Sequence, residues 1–101
     1  MPSITTEVTH DLGQEAALAR LRDFVHQMRE RHANDLTDME GEWNENRLHY
    51  GFKTRGLHIK GTLTVEDGLA RVDCQIPFAA LIFRGRLESE IRTQLTQALR
   101  G

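Results

Sequence analysis

Cysteine and proline are almost missing from this chain of 101 residues, which has one of the first and two of the second. A lone cysteine, Cys74, cannot close an internal disulfide, so the stapled scaffolds of small secreted proteins are excluded. It falls on the inward side of an alternating run, where a buried, unreactive thiol in a reducing cytoplasm is expected. Long apolar runs are missing too, and none approaches the roughly 18 residues of a membrane-spanning helix. The opening MPSITTEVTH has neither the charged stretch nor the apolar stretch of a secretory signal, so a soluble, cytoplasmic protein is expected. Neither charge sign is in excess. The formal net charge of −2 and the isoelectric point near 6.2 give no overall footprint for nucleic acid or an anionic membrane. Glycine-rich phosphate loops and Cys/His clusters are absent, so no cofactor and no metal is expected. Repeats, low-complexity tracts and linkers are absent as well, leaving one domain over residues 1–101.

What the chain does have is clear alternation. Leu57–Phe78 reads LHIKGTLTVEDGLARVDCQIPF, with Leu57, Ile59, Gly61, Leu63 and Val65 apolar or small before Asp67-Gly68, and Ala70, Val72, Cys74, Ile76 and Phe78 after it. Polar residues fill the positions between, as in a half-buried antiparallel hairpin. Asp-Gly suits a type I′ turn, which needs positive φ at both central residues. A two-residue loop there pairs Val65 with Ala70, Leu63 with Val72, Gly61 with Cys74, Ile59 with Ile76 and Leu57 with Phe78.

The same reading extends outward. Ser3–Thr9 alternates and is rich in β-branched residues, which predicts a first strand. Asp11 stands three residues before Gln14, a capping-box spacing, and a helix is expected from Gly13 to about His32 on Ala17, Leu21, Phe24 and Met28. Met39, Gly41 and Trp43 then face one way. A turn at Glu45-Asn46 sets them opposite Phe52, Tyr50 and Leu48, and a turn at Arg55-Gly56 pairs Phe52 with Ile59, Tyr50 with Gly61 and Leu48 with Leu63. After the aperiodic run Ala79–Phe83, a last helix carries Leu87, Ile91, Leu95 and Leu99, with Gly101 placed to end it. The expected fold is α+β, in the order β-α-β-β-β-β-α. Its five-stranded antiparallel sheet has strand order 1-5-4-3-2 and both helices on one face, a reduced helix-grip-like arrangement.

HDLGQEAALARL at the first helix, the short Trp43 strand, the Leu57–Phe78 hairpin and the closing GRLESEIRTQL together resemble the polyhydroxyalkanoic acid system family of small bacterial proteins, over Val8 to Leu99. The resemblance implies a cytoplasmic protein linked to storage-polyester metabolism or its granules. It carries no active-site residues with it.

Three groups of residues are candidates for function. Glu42, His49, Thr62 and Asp73 fall in one row on the outer face, which is either a solvated face, a subunit contact or an acid-base site; without a nucleophile an enzyme is not expected. On the inner face, Gly41, Tyr50, Gly61 and Cys74 set one large side chain among three small ones. The gaps either house the Tyr50 ring and a close helix or leave a small apolar pocket with the Tyr50 hydroxyl as its polar handle, suited to an apolar or hydroxyacyl ligand. Leu81, Ile82 and Phe83, next to Arg84 and Arg86, are either buried under the first helix or form a hydrophobic contact patch. Such a patch would meet a second copy of the chain, a polyhydroxyalkanoate granule or a granule protein. The function expected from these alternatives is that of a non-catalytic accessory protein with a hydrophobic partner.

Overall fold

The computed structural model describes residues 2–100. Its elements are β1 (Ser3–Thr9), α1 (Gln14–Arg31), β2 (Thr37–Asn44), β3 (Arg47–Thr54), β4 (Leu57–Val65), β5 (Leu69–Gln75), a 3-10 helix (Phe78–Phe83) and α2 (Arg84–Ala98). The strands form one antiparallel sheet in the order β1-β5-β4-β3-β2. Both helices contribute to the core: Ala17 and Leu21 of α1, and Leu95 of α2 with Leu99 just past its end, pack with Ile4, Leu48, Leu63, Val72 and Ile76. The architecture is therefore the α+β sandwich that the alternation predicts. Gly101, expected to end the last helix, lies outside the described residues.

The register follows from the apolar pattern, because a slip of one residue would turn every inward side chain outward. Leu63 pairs with both Leu48 and Val72, Gly61 with both Tyr50 and Cys74, and Phe52 with Ile59. Three expected pairs are not formed. β5 leaves the sheet after Gln75, which pairs with Lys60, so neither Ile59–Ile76 nor Leu57–Phe78 is made. The cause is local. Ile76 N–H turns to the Pro2 carbonyl at 3.0 Å, and Pro77, which has no N–H to give a ladder, starts the 3-10 helix. At the other edge, the β2–β3 register shifts between Thr37 and Glu40, where Asp38 takes φ 52°. This bulge removes the Met39–Phe52 pairing.

The turns divide the work differently from their sequences. Arg55 and Gly56 both take positive φ, as a type I′ turn requires. Asp67 and Gly68 do not, although Asp-Gly is the stronger signal. The tip they form is spent on tertiary contacts. The Asp67 carboxylate accepts the Gln14 N–H at 3.1 Å, and the Gly68 carbonyl accepts the His10 N–H at 3.1 Å. His10 also bonds the Glu66 carbonyl through Nε2 at 3.0 Å, while its Nδ1 accepts the Leu12 N–H at 3.3 Å, which assigns the ring proton to Nε2. The cap of α1 is thus not Asp11. Gly13 occupies the cap position at φ 82° with no side chain to offer, and the acceptor comes from the β4–β5 tip. Asp67→Ala is expected to lower stability by about 0.5–2 kcal/mol, the usual range for a lost cap, in urea unfolding. No change would mean that solvent satisfies this helix end equally well.

Candidate functional site

The 3-10 helix is where the chain departs most from ordinary burial. With three residues per turn, side chains at every third position share a line, so only one line of three can face the core. That line runs Pro77, Ala80, Phe83, and on it Ala80 is 1% exposed while Phe83, at the end of the element, is 50% exposed. The other two lines point out: Phe78 is 75% exposed, Ile82 83% and Leu81 39%. Burial of this run under α1 therefore does not occur; Ala80 alone is buried, in the core. Four large apolar side chains sit together on one short element, which is rare on a surface without a partner. Arg84 and Arg86 follow directly and are exposed, and from Gln75 to Leu87 there is no acidic residue.

The inner row is filled rather than hollow. At Gly61 a side chain would meet the Asp73 carbonyl and lie 2.7 Å from the Tyr50 hydroxyl, so the Tyr50 side chain occupies the room that the glycine leaves. That hydroxyl donates to the Asp73 carbonyl at 3.3 Å, and the ring stacks on Phe52 with centroids 6.3 Å apart. Burial pushes the Tyr50 hydroxyl well above its usual pKa, with the neighbouring Cys74 adding to the effect. Burial likewise pushes the Cys74 thiol up, partly offset by its hydrogen bond with Tyr50. Both groups are protonated and inert near neutral pH. Gly41 is exposed at the β2 edge, where the guanidinium of Arg29 and the Leu48 side chain each stand 3.5 Å from the position of a Cβ. Along the same edge Arg22 lies over the Trp43 ring, 5.3 Å from its centroid.

On the outer face the register sets Glu42 beside His49, His49 beside Thr62, Thr62 beside Asp73, and Asp73 beside Thr5. His49 shares a hydrogen bond of 3.4 Å with Thr62, and Asp73 accepts one of 2.9 Å from Thr5. A shallow depression of about 470 Å³ lies over Gly51, lined by Glu40, Glu42, His49, His58 and Lys60 and bordered by Gly41 and Tyr50 of the inner row. It is broad and open to solvent, and its lining holds no serine, threonine or cysteine. Among the described residues no group of three His, Cys, Asp or Glu side chains could hold a metal ion, and no helix is long and apolar enough to cross a membrane.

The exposed 3-10 helix had a signal in the sequence. Ala79–Phe83 is apolar at every position and follows a proline, and no regular element can bury all faces of so short a run on one side of a sheet.

No curated protein matches this sequence. The family model described as "Putative polyhydroxyalkanoic acid system protein" matches residues 4–99, from the first strand to the end of the last helix. With nearly its whole length inside that match, the chain belongs to the polyhydroxyalkanoic acid system protein family.

Proposed function

We propose that the protein is a non-catalytic accessory component of polyhydroxyalkanoate metabolism that attaches to a hydrophobic surface, the storage granule itself or a protein on it. The observation that carries this reading is the exposure of Phe78, Leu81, Ile82 and Phe83 on one short turn. Such a surface loses free energy on contact with an apolar phase, about 1.5–3 kcal/mol for each large side chain that becomes fully buried. The outer-face row fits a solvated surface better than a reaction centre, since His49 is exposed and its one side-chain partner is a threonine.

The test is sedimentation of the purified protein with isolated granules, comparing wild type with Ile82→Asp. Ile82 touches little of the core, so the variant keeps the fold. Wild type is expected to pellet with granules, and the variant's partition coefficient to fall at least about tenfold, in line with the loss of one buried isoleucine. Equal partitioning of the two removes the attachment reading.

A further inference from the structure

The near-neutral total charge conceals an uneven placement. β5 ends beside the start of β4, where Gln75 pairs with Lys60, and the β3–β4 turn closes just beyond, where Thr54 pairs with Leu57. The start of β2, reached from the end of α1, pairs there as well, Thr37 with Lys53. One end of the sheet thus gathers the last turn of α1, the Arg55-Gly56 turn and the 3-10 helix. Arg31 and Arg55 come from those segments and Arg84 and Arg86 from the first turn of α2 directly after them; all are exposed, and none forms an ion pair among the described residues. Of the acids at the same end, Asp38 pairs with Lys53 at 3.3 Å, Glu30 lies 3.2 Å from His26 and Asp35 3.9 Å from His32, and the exposed Glu40 forms no ion pair among the described residues. Glu88 is the first acid after the patch. At the opposite end, the two hairpin tips and the β1–α1 junction present Glu45, Glu66, Asp67 and Asp11, but these stand among Arg22, which reaches the Glu45 carbonyl at 3.4 Å, Arg47, and Arg71, which pairs with Glu66 at 4.0 Å.

We propose that the arginine-rich end docks on an anionic lipid interface, with Phe78, Ile82 and Phe83 entering the boundary of the acyl chains and Arg84 and Arg86 meeting headgroup phosphates. This rests on the patch being the attachment surface. Either signal alone gives weak, reversible binding, whereas apolar insertion and basic residues together give stable attachment. The exposed large apolar side chains among the described residues are all at this end, so the molecule lands with the patch down. A second copy of the chain is a poorer occupant. Four partly exposed side chains offer a few hundred Å², short of the roughly 800 Å² per partner of a stable interface.

The experiment uses the whole protein with two vesicle preparations, pure phosphatidylcholine and equal parts phosphatidylcholine and phosphatidylglycerol, read by co-sedimentation. Binding to the anionic vesicles is expected to be at least about tenfold tighter than to the neutral ones and to weaken as salt is added. Arg84→Ala combined with Arg86→Ala lowers it about tenfold, and Ile82→Asp removes it, with thermal unfolding confirming that each variant is folded. Equal binding to both vesicles, or binding to neither, overturns the proposal, as does a dimer in sedimentation equilibrium that Ile82→Asp dissolves. If vesicles fail while granules still retain wild type and release Ile82→Asp, the lipid interface falls and granule attachment stands. If granules fail as well, both fall.

Discussion

Leu63→Ala is expected to destabilise the protein by about 2–5 kcal/mol, a large part of the roughly 5–15 kcal/mol that holds a domain of this size together. Leu63 is 4% exposed and lies in the middle of the central strand β4, with Leu48 on one side and Val72 on the other. Both neighbours are held by ladders on their far sides, so neither can move in to fill the hole. The urea midpoint should fall with the slope of the transition unchanged, because the native and unfolded surfaces are nearly those of wild type. A loss under about 1 kcal/mol would mean that the helices settle onto the sheet, and that the core is softer than its burial implies.

Gly61→Ala is expected to act in the opposite sense to the usual rule for that change. In an ordinary strand position, replacing glycine with alanine reduces the freedom of the unfolded chain and is favourable by about 0.5–1 kcal/mol. At Gly61 the new methyl meets the Asp73 backbone carbonyl and stands 2.7 Å from the Tyr50 hydroxyl. The ring can turn aside, but the carbonyl belongs to the β4–β5 ladder and cannot. A cost of about 1–3 kcal/mol or more follows, typical of overpacking. Gly51→Ala is the control, since its nearest neighbour would be the Lys60 Cβ at an ordinary 3.7 Å, so a neutral or favourable change is expected there. Equal effects at the two sites in urea unfolding would show that Tyr50 does not depend on the space above Gly61.

The sheet was legible in the sequence to a degree set by the period-two pattern. Where both partners of a pair carried that pattern away from the strand ends, as at Leu48, Leu63 and Val72, the register came out as expected. It failed at the two places where backbone chemistry overrides hydrophobicity: at Asp38, where a positive φ introduces a bulge, and ahead of Pro77, where the ladder with β4 stops at Gln75 and the Ile59–Ile76 and Leu57–Phe78 pairs are lost. The capping box failed for a different reason, because Asp11 and Gln14 have the right spacing but a carboxylate distant in sequence competes for the same N–H. The inner row Gly41, Tyr50, Gly61, Cys74 was placed correctly in register, yet no sequence pattern states which way a tyrosine side chain turns. The contact patch was visible as composition only. Ala80 is the one residue of the run that is buried, and the threefold period of a 3-10 helix that puts it inward is something five apolar residues in a row cannot display.

The carboxylate that closes the start of α1 is 53 residues away along the chain. The first turn of that helix is the costly step in its formation, and here it lacks a local acceptor. The helix therefore becomes fully wound only after the β4–β5 tip has been assembled, so its front end docks late on the folding route rather than seeding it. Refolding of Asp67→Ala at nearly the wild-type rate, with unfolding accelerated, is the kinetic mark of that order; slower refolding would put the helix start inside the nucleus.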